Sequence, residues 1–241
     1  MESKKVKKII LITAITLSSV IILGCTIFIS IKTYINQYIN DNYQRRTEIW
    51  RETANFIPGG GIVIIGDSHT EFFALEEYFP GFLILNRGIY GDTTYGVKKR
   101  LDDTVLNINP SKVFLLIGAN DINKTNDKDE VIAGNIKEIA RKIRNVIPNT
   151  KIYIQSLYPV NPDGKNSSRL DIGKITNERV SSINLLLKDF CDAEGYIYID
   201  MFSRLIDTNG QLREEYTIEG LHLNAAGYRF VAQALRPYFE E

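Results

Sequence analysis

A chain of 241 residues is long enough to bury one core of ordinary domain size, and its balance of 44% apolar and 24% charged residues excludes wholesale disorder. The formal net charge is zero, but five lysines against one acidic residue in the first 32 positions leave 24 basic and 28 acidic residues in the remainder. Because this remainder is slightly acidic, we expect no nucleic-acid partner. The two cysteines, Cys25 and Cys191, give no basis for a disulfide framework.

The first predicted element is a membrane-spanning helix over residues 9–31, a stretch that carries no charge. As a helix it would be roughly 34 Å long at about 1.5 Å per residue, which exceeds the roughly 30 Å of a hydrocarbon core. The lysines of residues 1–8 predict that this tail is cytoplasmic, so the rest of the chain would lie outside a cell membrane, which we take to be bacterial. We interpret the segment as an uncleaved, single-pass signal anchor.

Other interpretations of residues 9–31 stay open. A cleaved secretory signal would have a shorter apolar core and small residues at its end. The run Ile22-Leu23-Gly24-Cys25 is similar to a lipoprotein cleavage box, which would lipidate Cys25, but apolar residues continue after the cysteine. A buried core helix is disfavoured by the length of the stretch and by the lysines that flank it.

Residues 32–59 are predicted to form a juxtamembrane helix or stalk. Tyr34 and Tyr38 lie four residues apart, which is helical spacing, and their rings would suit the lipid–water interface. Pro58 and the three glycines after it then end any helix. We therefore expect the folded domain to occupy residues 60–241.

Short apolar strands alternate with helices in this domain. The predicted strands are Ile62–Ile65, Phe82–Leu85, Val113–Ile117, Ile152–Gln155 and Tyr196–Ile199. The predicted helices, whose apolar residues recur every three or four positions, are Lys128–Val146, Asn177–Ala193 and Ala225–Phe239. This alternation predicts an α/β fold, a three-layer α/β/α sandwich around a five-stranded parallel sheet. The longest predicted loop covers residues 161–176.

Polar residues follow the strands at the edge where parallel sheets bind ligands. Ser68 follows the first strand, Gly88 the second and Asn120 the third, while His222 precedes the last helix. Ser68 becomes a nucleophile if His222 removes its proton, because imidazole titrates near neutral pH. Glu219, three residues earlier, can orient the His222 ring. The backbone amides of Ser68 and Gly88 and the side-chain amide of Asn120 can stabilise an oxyanion.

These motifs resemble the SGNH hydrolase superfamily of GDSL-type esterases and lipases. The matching segments, in the order of the family, are Gly66-Asp67-Ser68, Asn86-Arg87-Gly88, Gly118-Ala119-Asn120-Asp121 and Gly220-Leu221-His222. With Gly91-Asp92-Thr93, the second segment looks like the branch of platelet-activating-factor acetylhydrolases and bacterial acyl-ester hydrolases. The resemblance covers about residues 60–240. It implies a flavodoxin-like sheet, a triad of serine, histidine and acid, and ester hydrolysis without a cofactor or a metal.

Two residues depart from the family pattern. The acid is Glu219 where the family usually has aspartate, and His69 stands where the family name has leucine. We expect Glu219 still to orient His222, and we expect His69 to be a packing residue. A metal site is not expected, because the chain has two histidines and no ligand-spaced cysteines.

Three functions are consistent with these observations. The first is a serine ester hydrolase that acts on small or medium acyl groups in a small-molecule, lipid or glycan ester. The second keeps the chemistry but acts as an O-acetyltransferase or deacetylase on cell-envelope glycan. The third is a non-catalytic binding domain, suggested by the glutamate at position 219. The sequence does not indicate an oligomeric state.

Overall fold

The structure of the protein is a computed structural model that describes residues 2–168 and 172–241. The chain divides into two compact units, of which the first ends at Arg46 and the second spans Thr47–Glu241. Helix α1 runs Glu2–Thr53. Within the described part of the chain, α1 alone is long and apolar enough to cross a membrane, a test that a signal sequence also passes. Of the predicted loop over 161–176, residues 169–171 lie outside the described residues.

The second unit is built on a parallel sheet with strand order β2-β1-β3-β4-β5. The strands are β1 Ile62–Gly66, β2 Ile84–Gly88, β3 Lys112–Leu116, β4 Lys151–Gln155 and β5 Ile197–Ile199. This is the strand order of flavodoxin-like doubly wound folds. The predicted five-stranded parallel sheet and its flavodoxin-like arrangement are therefore confirmed.

The second strand differs from its prediction. We expected it over Phe82–Leu85, but it runs Ile84–Gly88 and so includes the polar residues Asn86 and Arg87. These two residues pair in register with β1. Their polarity ended the predicted strand too early, because a strand that reaches a functional edge can carry polar side chains while its backbone still completes the sheet.

Helices cover both faces of the sheet. They are α2 Ser68–Glu71, α3 Leu75–Tyr78, α4 Thr94–Thr104, α5 Ala119–Lys124, α6 Asp129–Val146, α7 Asn177–Glu194, α8 Phe202–Leu205 and α9 Ala225–Glu240. Short 3-10 turns occur at Ala54–Phe56, Leu106–Ile108 and Glu214–Tyr216. The three predicted helices agree with α6, α7 and α9 to within one residue at each end.

The direction of each crossover decides the face on which its helix lies. The step from β1 to β2 crosses the sheet in the opposite direction from the later steps, so right-handed crossovers put α3 on one face and α4, α6 and α7 on the other. Helix α9 returns to the face of α3, where the rings of Phe239 and Phe79 stack with centroids 4.2 Å apart. The three-layer sandwich is confirmed, and its coverage explains why β1 is buried along its whole length.

The second unit begins before residue 60, because Trp50 is buried in it. The guanidinium carbon of Arg87 lies 4.9 Å from the centroid of the Trp50 ring, and that of Arg100 lies 5.5 Å from it. Arg100 also donates to the carbonyl oxygen of Gly66 at 3.0 Å. Both guanidinium groups lie within the distance for cation–π attraction to Trp50, and Arg100 connects Trp50 to Gly66, the last residue of the strand that leads to Ser68.

Replacing Trp50 with alanine is expected to lower the free energy of unfolding of the second unit by about 3–5 kcal/mol, the usual effect of truncating a buried tryptophan. The measurement is urea denaturation followed by far-UV circular dichroism, because Trp50 is the only tryptophan and its fluorescence is lost in the variant. Phe56→Ala is the matched control: Phe56 is 83% exposed, and its truncation should change stability by less than about 0.5 kcal/mol. Equal effects of the two variants would contradict the packing role of Trp50.

Candidate active site

The turn after β1 presents Ser68. A side chain at Gly66 would clash, since a Cβ atom there would lie 2.2 Å from the carbonyl oxygen of Leu116. Asp67 then caps the short helix α2, because its Oδ1 accepts a hydrogen bond from the backbone amide of His69 at 3.0 Å. Ser68 is the first residue of α2 and is buried. This is the carboxyl end of a parallel strand, the place where such folds bind ligands.

The loop over residues 217–223 positions His222 and Glu219. An antiparallel bridge between its end residues closes the loop. Gly220 adopts a φ of +91°, which residues with side chains rarely reach, and this lets the chain turn between Glu219 and His222. The Thr217 Oγ1 accepts from the Gly220 amide at 2.8 Å and donates to the His222 carbonyl oxygen at 2.9 Å. The backbone on both sides of the turn is therefore fixed.

Ser68, His222 and Glu219 follow one another through hydrogen-bonding contacts. The Nε2 atom of His222 lies 3.0 Å from Ser68 Oγ. On the other side of the ring, Nδ1 contacts Glu219 Oε1, which also accepts from the backbone amide of His222 at 3.0 Å. A carboxylate at Nδ1 keeps the proton on that nitrogen and leaves Nε2 as the acceptor for a serine proton. The longer side chain of glutamate therefore reaches the ring.

Two of the three predicted oxyanion donors have acceptors within the protein. Asn120 Nδ2 lies 3.4 Å from Asp67 Oδ2, a long contact that a stronger acceptor can replace. The backbone amide of Gly88 donates to Asn86 Oδ1 at 2.9 Å, and Asn86 is itself fixed because its Nδ2 donates to the carbonyl oxygen of Thr70 at 2.7 Å. The contact between Gly88 and Asn86 was not predicted, and an oxyanion would have to share or displace it.

Two further acids lie near this edge of the sheet, and both have protein partners. Asp92 accepts from Arg100 Nε at 2.8 Å, and burial raises the pKa of Asp92 against the opposing effect of that arginine. Asp121 accepts from the backbone amide of Thr94 at 3.0 Å. Burial raises the pKa of Asp121 to about 6, although the Thr94 hydrogen bonds oppose the shift. Among the described residues, no group of three or more histidine, cysteine, aspartate and glutamate side chains is arranged to hold a metal ion.

Comparison with known proteins identifies the family. The sequence profile of the GDSL-like lipase/acylhydrolase family matches residues 64–230, which is more than two thirds of the chain. The chain belongs to this family. The GDSL-like acylhydrolase is thus an ester hydrolase, and the resemblance inferred from its four motifs is confirmed.

Two of three similar proteins have names that refer to platelet-activating factor. Platelet-activating factor acetylhydrolase IB subunit alpha2 of Gallus gallus is 30% identical over 162 residues, 62% of this chain and 69% of that protein. A solved structure from Streptococcus pneumonia, described as a platelet activating factor, has 28% identity and a TM-score of 0.79 and covers 86% of this chain and 97% of its own. N-acylneuraminate cytidylyltransferase of Escherichia coli is 27% identical over 202 residues, but the chain spans only 45% of that protein.

His69 lies in the interior of this acylhydrolase, next to the predicted base. Its Nε2 donates to the Leu221 carbonyl oxygen at 3.1 Å, and its Nδ1 lies 3.4 Å from Asp67 Oδ1. Burial lowers the pKa of His69, but the hydrogen bond and charge of Asp67 and the Leu221 carbonyl raise it by more, so the net pKa is raised. The His69 and His222 rings have centroids 5.7 Å apart. Burial and the nearby charge of His69 lower the pKa of His222 more than Glu219 raises it.

These shifts predict the acid limb of the pH profile. A general base works when neutral, so a lowered pKa keeps His222 active to lower pH, and kcat/KM should fall only below pH 6.5, the ordinary value for histidine. Replacing His69 with glutamine removes a like charge, which should raise the pKa of His222 and move the acid limb to higher pH. The profile of kcat/KM between pH 5 and 8 measures both midpoints. A limb that stays in place in His69→Gln would show that His69 does not act on His222.

Two aromatic rings that no sequence motif singled out lie beside His222. Phe72 lies directly after α2, and Tyr90 lies two residues after Gly88. Their ring centroids are 5.4 Å and 6.1 Å from that of His222. The one sequence feature that could have indicated these rings is that they closely follow Ser68 and Gly88, the predicted nucleophile and oxyanion donor. No local pattern, however, shows which way an exposed ring on such a loop will face.

Proposed function

We propose that this chain is a membrane-anchored serine ester hydrolase that cleaves small or medium acyl groups from an ester. The observation that carries the proposal is the 3.0 Å approach of His222 Nε2 to Ser68 Oγ, with Glu219 on the opposite ring nitrogen. Family membership supplies the reaction class, and these contacts support the assignment of the nucleophile, base and orienting acid.

The proposed reaction proceeds in two steps. Ser68 Oγ attacks the ester carbonyl carbon while His222 Nε2 takes its proton, and Glu219 stabilises the imidazolium that forms. The same proton then passes to the alcohol oxygen as its bond to the carbonyl carbon breaks, which leaves an acyl group on Ser68. In the second step His222 takes a proton from water, the hydroxide adds to the acyl carbon, and Ser68 leaves with the proton.

We assign the oxyanion donors to the backbone amides of Ser68 and Gly88 and to Asn120 Nδ2. The 3.4 Å contact from Asn120 to Asp67 supports a donor that can turn to a developing negative charge at low cost. The Gly88 amide would share its hydrogen between Asn86 Oδ1 and the oxyanion. Each such donor is worth about 10²–10³ in rate in comparable sites.

We further propose that residues 9–31 anchor the enzyme in a cell membrane, with residues 1–8 in the cytoplasm and the remainder outside. In place of the expected stalk over 32–59 and domain over 60–241, the proposed juxtamembrane stalk ends at Arg46 and the hydrolase domain spans Thr47–Glu241. The uncharged stretch within α1 supports the span, and the lysines that precede it support the orientation. A short acyl group is supported by the name of the Gallus gallus relative, an acetylhydrolase.

The test uses the full chain in detergent. A fluorophosphonate that labels activated serines should label the wild type and leave Ser68→Ala unlabelled, while Ser203→Ala, at an exposed serine of α8, stays labelled. Incubation with an acetate ester should release free acetic acid. An unlabelled wild type would favour a binding domain, and acetyl groups found only on a glycan acceptor would favour a transferase; either result would contradict the proposal.

A further inference from the structure

The rings of Phe72 and Tyr90 form an exposed aromatic wall beside His222. Phe72 is 46% exposed and Tyr90 is 38% exposed, although neighbouring residues of the same loops are buried. The two ring centroids are 5.9 Å apart and the ring planes are inclined by 36°. Large aromatic side chains left in water next to a reactive group are candidates for contact with a ligand.

Both rings are held by the loops that carry the reactive groups. The backbone amide of Phe72 donates to the Ser68 carbonyl oxygen at 3.0 Å, which fixes Phe72 at the end of α2. The backbone amide of Tyr90 donates to the carboxylate of Glu71, the last residue of α2. The loop that carries Ser68 and the loop that follows Gly88 are thereby joined next to the wall, so the backbone that carries each ring has a defined position relative to Ser68.

We propose that Phe72 and Tyr90 bind the alcohol portion of the ester and favour alcohols that present a flat apolar face, such as a ring. The inference rests on the proposed roles of Ser68 and His222. As general acid, His222 Nε2 must lie within about 3 Å of the departing alcohol oxygen, so the carbon atoms attached to that oxygen lie beside the His222 ring. The wall also lies beside the His222 ring, with both of its ring centroids within 6.1 Å of the His222 centroid, so it is within reach of those carbon atoms.

The chemistry of the wall favours a ring-bearing alcohol over a short linear one. The negative face of an aromatic ring attracts the weakly positive C–H groups of a saturated ring, and a flat face buries more area against it than an ethyl group does. Because both rings remain partly exposed, hydroxyl groups on the far side of the alcohol would stay hydrated. Cyclohexyl and pyranosyl alcohols both present such a ring, so an ester of each is needed to tell which kind of alcohol the wall prefers.

The experiment compares acetate esters whose acyl group is constant. The substrates are ethyl acetate, cyclohexyl acetate and methyl 6-O-acetyl-glucopyranoside, tested with the full chain in detergent. All three give the same acetyl-enzyme, so a difference that depends on the alcohol must arise before or during acylation. The variants are Phe72→Ala and Tyr90→Ala. The conservative variants are Phe72→Tyr and Tyr90→Phe, and the control is Leu83→Ala, an equally exposed apolar side chain at the opposite end of β2.

For the wild type we expect kcat/KM to be higher for at least one ring-bearing ester than for ethyl acetate. The ratio between the two should fall about 10-fold or more in Phe72→Ala and Tyr90→Ala, mainly through KM, since a lost apolar contact of this size is worth about 10–200-fold. The conservative variants and Leu83→Ala should keep the wild-type ratio. Whether the cyclohexyl or the glucosyl ester shows the larger ratio identifies the kind of ring.

Four outcomes would overturn the inference. Equal losses for all esters would mean that the rings merely support His222. A changed preference between ethyl acetate and ethyl hexanoate, with the alcohol ratio unchanged, would place the rings on the acyl side. An alanine variant that still labels with fluorophosphonate and keeps the wild-type ratio of kcat/KM between ring-bearing and ethyl esters would refute the inference alone. A wild type that neither labels nor hydrolyses any ester would refute both the inference and the proposed function.

Discussion

Replacing Ser68 with alanine is expected to lower kcat/KM for an acetate ester by about 10⁴–10⁶-fold. The reason is that Ser68 Oγ is the attacking atom in the proposed mechanism, and it lies 3.0 Å from Nε2 of His222, the proposed base. Neither water nor a neighbouring side chain replaces a positioned nucleophile, so the remaining rate would come from the oxyanion donors and from substrate binding.

His222→Ala provides the matching measurement. If Ser68 and His222 act as one unit, as proposed, the single variants should lose similar activity, and the double variant should be little worse than either. Steady-state hydrolysis at pH 7.5, with near-wild-type circular dichroism as evidence of folding, measures both. Full additivity of the two losses would show that Ser68 and His222 do not act in the same step.

Replacing Glu219 with glutamine should lower kcat by about 10²–10⁴-fold. Glu219 Oε1 accepts from both the backbone amide and Nδ1 of His222. Glutamine has nearly the same shape but no charge, so it loses the stabilisation of the imidazolium and also permits the wrong ring tautomer. The measurement is kcat under saturating substrate, because an effect on the transition state alone leaves KM nearly unchanged.

Glu219→Asp tests whether length or charge matters. Aspartate keeps the charge but is one methylene shorter, so in this loop it should reach Nδ1 poorly and give an activity between those of the wild type and Glu219→Gln. An activity of Glu219→Gln within about threefold of the wild type would show that Glu219 does not orient His222 in catalysis.

Much of the fold was predictable because it depends on local patterns. The run Ile62–Ile65 is apolar throughout, as a strand covered on both faces requires, and it is the core of β1. The spacing of apolar residues in Lys128–Val146 predicted α6 to within one residue. The prediction failed at Asn86 and Arg87, where polar side chains occupy a strand, because side-chain polarity reports exposure and function as well as backbone conformation.

The start of the second unit was not predictable in this way. Pro58 and the glycines after it predicted a boundary, yet Trp50 lies before them, is buried and has two guanidinium groups near its ring. Arg87 and Arg100 are 37 and 50 residues further along the chain. A partner at that separation leaves no trace in the sequence around Trp50, where the pattern is that of an ordinary polar helix.

The sequence by itself determined the family and predicted the residues of the candidate site, because motifs at strand ends are local and keep their order. The tertiary structure decided how these residues meet. Ser68 and His222, separated by 154 positions, come within hydrogen-bonding distance, and Glu219 reaches the ring through a turn at Gly220. The tertiary structure also decided that the Gly88 amide donates to Asn86 Oδ1 and that the Phe72 and Tyr90 rings lie beside His222. Such contacts depend on loop paths and side-chain directions, which packing fixes only after the chain has folded.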